Sequence, residues 1–233
     1  MVGEVLKTSR QNPLQSRKTL KVGYMRSLFS LTLLTSVLAL ALASVAQATV
    51  FEPITCALLF ILVVFARDDE NSLLLTLVFA VVLSLDALMV FYLKNILFPI
   101  IESFYIENIF AYGGQLTLSI LLLFLLKYRM AVAVLVTRGK SASVFEKNHA
   151  EGPLYLLVLT LVFIDFMALM ENFLRNMEHL GVKEETAKVF WEVTFFYDYF
   201  AYLKSVPLLL CIAMLYVGIV VRTRRTPIQA DEN

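Results

Sequence analysis

From residue 28 to residue 221 the chain strings together apolar runs, several of about 20 residues, separated by short charged breaks. A helix rising about 1.5 Å per residue needs that length to cross a hydrocarbon layer roughly 30 Å thick. In hydrocarbon every backbone N–H and C=O must be satisfied within the chain, so such runs are helical. Composition agrees: 59% of residues are hydrophobic and only 17% are charged, against about 25% charged in soluble domains. No stretch of about 50 residues is polar enough to close a separate soluble core. The expected fold is therefore all-α, a polytopic integral membrane protein with about six transmembrane helices.

The pattern places those helices near 28–48, 51–66, 72–93, 109–126, 153–173 and 203–221. They form a single transmembrane domain over 28–225, with a basic tail at 1–27 and a short one at 226–233. The leading tail carries Lys7, Arg10, Arg17, Lys18, Lys21 and Arg26 against Glu4. Residues 25–48 also show the three parts of a secretory signal peptide. The long basic lead favours an anchored helix, and the alternative stays open. A single helix over 28–66 would run roughly 58 Å, far beyond the hydrocarbon thickness. Glu52 and Pro53 instead mark a hairpin between two helices. Residues 67–71 form a hydrophilic turn with capping chemistry. The aromatic segment 94–112, broken by Pro99 and Glu102, reads as interfacial or re-entrant. Residues 177–190, with Glu178, Glu184 and Glu185, read as an exposed helix.

Six spans put both tails, the 67–71 turn and the 127–152 loop on one side. That side holds fifteen of the twenty Lys and Arg residues. The positive-inside rule makes it cytoplasmic, in a plasma or bacterial inner membrane. The basic face could attract anionic lipid headgroups, although the rule alone accounts for it.

The chain also echoes itself. Ala87-Leu88-Met89-Val90-Phe91-Tyr92-Leu93-Lys94-Asn95 matches Ala168-Leu169-Met170-Glu171-Asn172-Phe173-Leu174-Arg175-Asn176, and Phe110-Ala111-Tyr112 recurs as Phe200-Ala201-Tyr202. These copies predict a tandem duplication of a helical hairpin, the two hairpins running parallel. Aromatic residues around both Phe-Ala-Tyr copies suit an interfacial belt or an outward recognition rim. The rim candidates are Lys94, Tyr112, Arg175, Asp198, Tyr202 and Lys204. Lys94 and Arg175 end their spans, where snorkelling explains them.

Two acids lie inside spans. Asp165 sits about 18 Å beyond Pro153 and Asp86 about 21 Å beyond Ser72, by helix rise. A central Asp costs about 2.5–3.5 kcal/mol on insertion scales, so each marks either an ion path or a polar contact between helices. Asp165, Asn172 and Asn176 share one helical stripe. With Asp86 and Glu171 they make the candidate polar or ion pathway. Aligned on the repeats, Asp165 falls opposite Ser84 and Asp86 opposite Met167, so a symmetric carboxylate pair is not expected. Asp198 and Lys204 are too far apart to pair on one helix, and either could meet Glu171. Gly113-Gly114 either permits close helix approach or loosens a helix start.

No hydrolase elbow, zinc-protease motif, phosphate loop or Cys-x-x-Cys is present. Cys56 and Cys211 lie in apolar runs as small hydrophobes, and His149 and His179 fall in opposite loops. No catalytic residue, cofactor, metal or nucleic-acid contact is expected. The expected function is a non-enzymatic membrane subunit or scaffold, partnered by the bilayer and by copies of itself or another membrane or cytoplasmic protein. The alternative is a small ion- or proton-coupled transporter or channel using Asp165 and Asp86, and an intramembrane enzyme comes a distant third.

Overall fold

The computed structural model describes residues 48–138, 148 and 150–223. The helix expected at 28–48 falls outside them but for its last residue, as do the tail at 1–27, the tail at 226–233 and His149. Among the described residues there is no strand. The helices are α1 (Ala48–Phe65), α2 (Glu70–Tyr92), α3 (Phe104–Lys127), α4 (Arg129–Thr137), α5 (Glu151–Arg175), α6 (Glu184–Ala187) and α7 (Phe195–Thr223). Four helical stretches are long and apolar enough to cross a membrane, those built on α2, α3, α5 and α7, and α1 adds a shorter apolar helix.

Local chemistry sets the boundaries. The Asp69 carboxylate accepts the Ser72 N–H and caps α2, satisfying one of the donors a helix start leaves open. Beyond Tyr92 the helix widens into a π turn at Leu93–Leu97 and tightens into a 3-10 turn at Phe98–Ile100, which contains Pro99. Proline removes a ladder donor, and the chain turns there. α3 then starts at Phe104, so the segment expected to be re-entrant is a tight turn plus the first turns of a regular helix. The expected exposed helix at 177–190 is broken into Met177–Leu180, α6 and Lys188–Phe190, with Gly181 at φ 84° ending the first turn. Only glycine takes that left-handed conformation without strain. The expected basic loop contains α4.

The long helices close a ring in the order α1, α2, α3, α5, α7 and back to α1, and α2 also meets α7 across it. Leu59, Phe79, Leu122, Val158, Leu161 and Leu215 are buried at its centre. Outward-facing residues such as Phe91, Leu156, Phe163 and Phe124 are exposed apolar side chains, as lipid contact requires. The 93–103 and 176–194 connections lie at one end of the ring, its upper end. The lower end bears the 66–69 turn and α4.

The two glycines differ. A Cβ at Gly114 would come within 2.5 Å of Met89 Sδ, whereas one at Gly113 would meet nothing within 4 Å. Close approach of α2 to α3 therefore uses Gly114 alone. Gly113→Ala is expected to stabilise the bundle by about 0.5–1 kcal/mol, since alanine loses less backbone freedom in a helix. Gly114→Ala should gain nothing, because Met89 must move. Denaturant unfolding of both variants in detergent checks the contrast.

Candidate functional site

One polar cluster lies inside the ring. Lys204 on α7 sits nine residues after Phe195, about 13 Å into its helix by rise. Its ammonium donates to Gln115 Oε1 on α3 at 2.7 Å and reaches Asp86 Oδ2 on α2 at 3.5 Å and Asp165 Oδ1 on α5 at 3.6 Å. Ser119, one turn beyond Gln115 on α3, lies with its Oγ 2.5 Å from Asp165 Oδ2. Four helices thus each contribute to one constellation. Asp165 is fully buried, while the Lys204 and Asp86 side chains retain 13% and 12% exposure. Any approach to the cluster therefore leads through Lys204 and Asp86.

The distances rank the contacts. Charge-assisted N–H···O bonds run about 2.7–2.9 Å. Lys204 makes its short bond to a neutral amide and only long ones to the two carboxylates. Asp86 Oδ1 and Asp165 Oδ1 have no hydrogen-bond partner among the described residues. Beside them lies a cavity of about 10 Å³, lined in part by Asp86, Ser119, Lys204, Leu122 and Leu208. That volume is near the lower limit for one water molecule. Pro207, three residues below Lys204, deprives Leu203 O of its usual helical donor, so α7 is locally weakened at this level.

The other candidates serve elsewhere. Glu171 is buried, and its carboxylate accepts the N–H groups of Phe196 and Tyr197, both at 2.7 Å. It caps α7 from a neighbouring helix, an acid placed where the helix dipole favours one. It meets neither Asp198, which accepts from Thr194 Oγ1 at 2.6 Å, nor Lys204. Asn172 donates to Tyr105 O and accepts from Asn108, each at 3.3 Å, and Asn176 bonds back to Asn172 O at 2.8 Å. The stripe of Asp165, Asn172 and Asn176 is therefore divided. Its acid enters the central cluster, and Asn172 holds the start of α3 while Asn176 bonds back to Asn172.

Among the rim candidates, Lys94, Asp198 and Tyr202 are exposed, and Arg175 lies over the Tyr197 ring at 4.6 Å. Tyr112 is buried and packs edge-on against Phe200 at 4.9 Å, joining the two Phe-Ala-Tyr copies. Lys204 departs furthest from its expected place. The sequence begins its helix near 203, whereas α7 begins at Phe195 and carries Lys204 nine residues in. Gln115 and Ser119 were missed. Their signal was the four-residue spacing of two polar side chains in an apolar run, which places both on one helix face.

The lower end holds a second network. Arg129 bonds Asn71 Oδ1 and Glu151 Oε1, both at 2.6 Å, and Arg222 bonds Asp69 Oδ2 at 2.6 Å. Burial pushes the Asp69 carboxyl up, but its hydrogen bonds with Ser72 and Arg222 outweigh this and hold it below the ordinary 3.8. No group of three or more metal-ligating side chains occurs among the described residues. Comparison of the chain with known protein families, with curated proteins and with solved structures yields no match.

Two outcomes are expected. Glu171→Ala should destabilise by about 1–3 kcal/mol by stripping two helix-start donors of their acceptor, with Glu171→Gln losing less; thermal unfolding in detergent measures both. Asp69→Asn keeps the cap but loses the charge paired with Arg222. Because the native Asp69 value is lowered, its contribution is complete above the unfolded value and fades as pH falls through the native one. Wild type should exceed Asp69→Asn by about 1–2 kcal/mol at neutral pH. The two should converge in strongly acidic solution, as stability measured across pH will show.

Proposed function

We propose that this is a small, non-enzymatic multipass membrane protein acting as an ion- or proton-coupled transporter or channel. Lys204, Asp86 and Asp165 form its ion site. The observation that carries the reading is the unequal charge count inside the ring: two carboxylates and one ammonium, with Gln115 taking the ammonium's shortest bond. Ionisable groups within spans cost about 2.5–3.5 kcal/mol each on insertion scales, and their usual tenancy is an ion or proton path. Packing alone would be served by neutral amides or hydroxyls, which associate helices without that cost.

The proposal includes six spans, with both termini in the cytoplasm of a plasma or bacterial inner membrane, and a duplicated hairpin whose copies meet at Tyr112 and Phe200. Anionic lipid against the basic cytoplasmic face is part of the same reading.

A second reading is a subunit or scaffold that assembles with itself or with another membrane protein. The small cavity supports it, since about 10 Å³ beside the cluster admits no solute. The partners already found by Glu171, Asn172 and Lys204 within the chain weigh against it, because those polar groups are not left for a neighbour. Purified protein in liposomes carrying an imposed proton or alkali-cation gradient tests the first reading. Wild type should dissipate one gradient, and Asp86→Asn and Asp165→Asn should slow that at least about tenfold, the equivalent of 1.4 kcal/mol in a barrier. Rates equal to protein-free vesicles for all three would reject transport in favour of the subunit.

A further inference from the structure

The charge count leads to a sharper statement about the same site. With both aspartates ionised, the cluster would carry a net charge of −1 in an apolar interior, where an unpaired charge is costly enough that the group neutralises instead. Something positive must balance it. The adjoining cavity, about 10 Å³, has no room for a hydrated cation. A proton needs no volume.

We infer that the transported or sensed ion is a proton, and that it is seated on Asp165 and shared with Ser119 while Lys204 pairs with Asp86. The inference rests on reading this cluster as the ion site. Burial separates the two acids, since Lys204 Nζ lies about equally far from both, 3.5 Å from Asp86 Oδ2 and 3.6 Å from Asp165 Oδ1. Asp165 is fully buried, while Asp86 keeps partial exposure. Ser119 Oγ donates to Asp165 Oδ2 at 2.5 Å; a proton seated on Oδ2 reverses that bond, the carboxylic O–H then donating to Ser119 Oγ. The charged groups facing Asp165 are Lys204 from α7 and Asp86 from α2, and α3 presents only the neutral Gln115 and Ser119.

Ser119 touches both the acid and the cavity, so its hydroxyl is the relay. As the proton leaves Asp165 through Ser119 to a cavity water, Asp165 becomes an anion. It then competes with Asp86 for the Lys204 ammonium. One proton thus moves the cation between α2 and α5.

Infrared spectroscopy of the full-length protein in lipid at neutral pH tests this through the carboxylic C=O band, identified in wild type by its shift in heavy water. Wild type should show one carboxylic acid more than either Asp86→Asn or Asp165→Asn, in each of which one carboxylate balances one ammonium. Lys204→Met should show one more than wild type, having lost its cation. Ser119→Ala, a mild change, should displace the wild-type band by removing the proton's partner. A band indifferent to Ser119→Ala would overturn the seat on Asp165. Equal intensity in wild type and both Asn variants would overturn the stored proton altogether. The band without any gradient dissipation would leave the proton in place and remove the transport reading. Dissipation without the band would leave transport in place and overturn the proton.

Discussion

The polar centre of this bundle is organised around one ammonium largely withdrawn from water. Lys204 enters the ring on α7, and the other helices around it supply acids or neutral acceptors at its level. An isolated cation there would be prohibitive, and a single carboxylate would cancel it. Two carboxylates overshoot. That excess is what the proposed proton would balance.

The two ends of the ring are built differently around this centre. At the lower end charged side chains meet one another, Arg129 with Glu151 and Arg222 with Asp69. At the upper end side chains from the last turns of α5 grip backbone, Glu171 holding the start of α7 and Asn172 the carbonyl of Tyr105 in the first turn of α3. Side-chain pairs at the lower end are sensitive to salt, whereas the upper grip on its partner helices is to main-chain N–H and C=O groups. The cluster lies between these two sets of ties, at the level where Pro207 breaks the regular bonding of α7.

The membrane character of the chain was legible in its apolar runs, because hydrocarbon permits so few backbone solutions. α2 and α5 lie within two residues of the expected bounds at each end, since Asp69 and Pro153 punctuate their starts. The starts of α3 and α7 were not legible. Their first turns carry Glu107 and Asp198 among aromatics, which reads as interface although the backbone is already helical. The site was half legible. Asp86 and Asp165 stand out in any apolar run, but that they share a cation depends on contacts 118 and 39 positions apart in the chain, Asp86–Lys204 and Asp165–Lys204. Periodicity within a single helix carries no information about such contacts.

Glu171 grips α7 by peptide N–H groups and not by side chains. The identities of residues 196 and 197 therefore matter little to the joint, and nearly any pair could replace Phe196 and Tyr197 so long as neither is proline. Residue 171 has no such latitude, since it must reach two amides at once with two oxygens. Evolutionary drift at this joint should be one-sided: the partner that supplies a side chain is constrained, and the partner that supplies only main chain is free to vary.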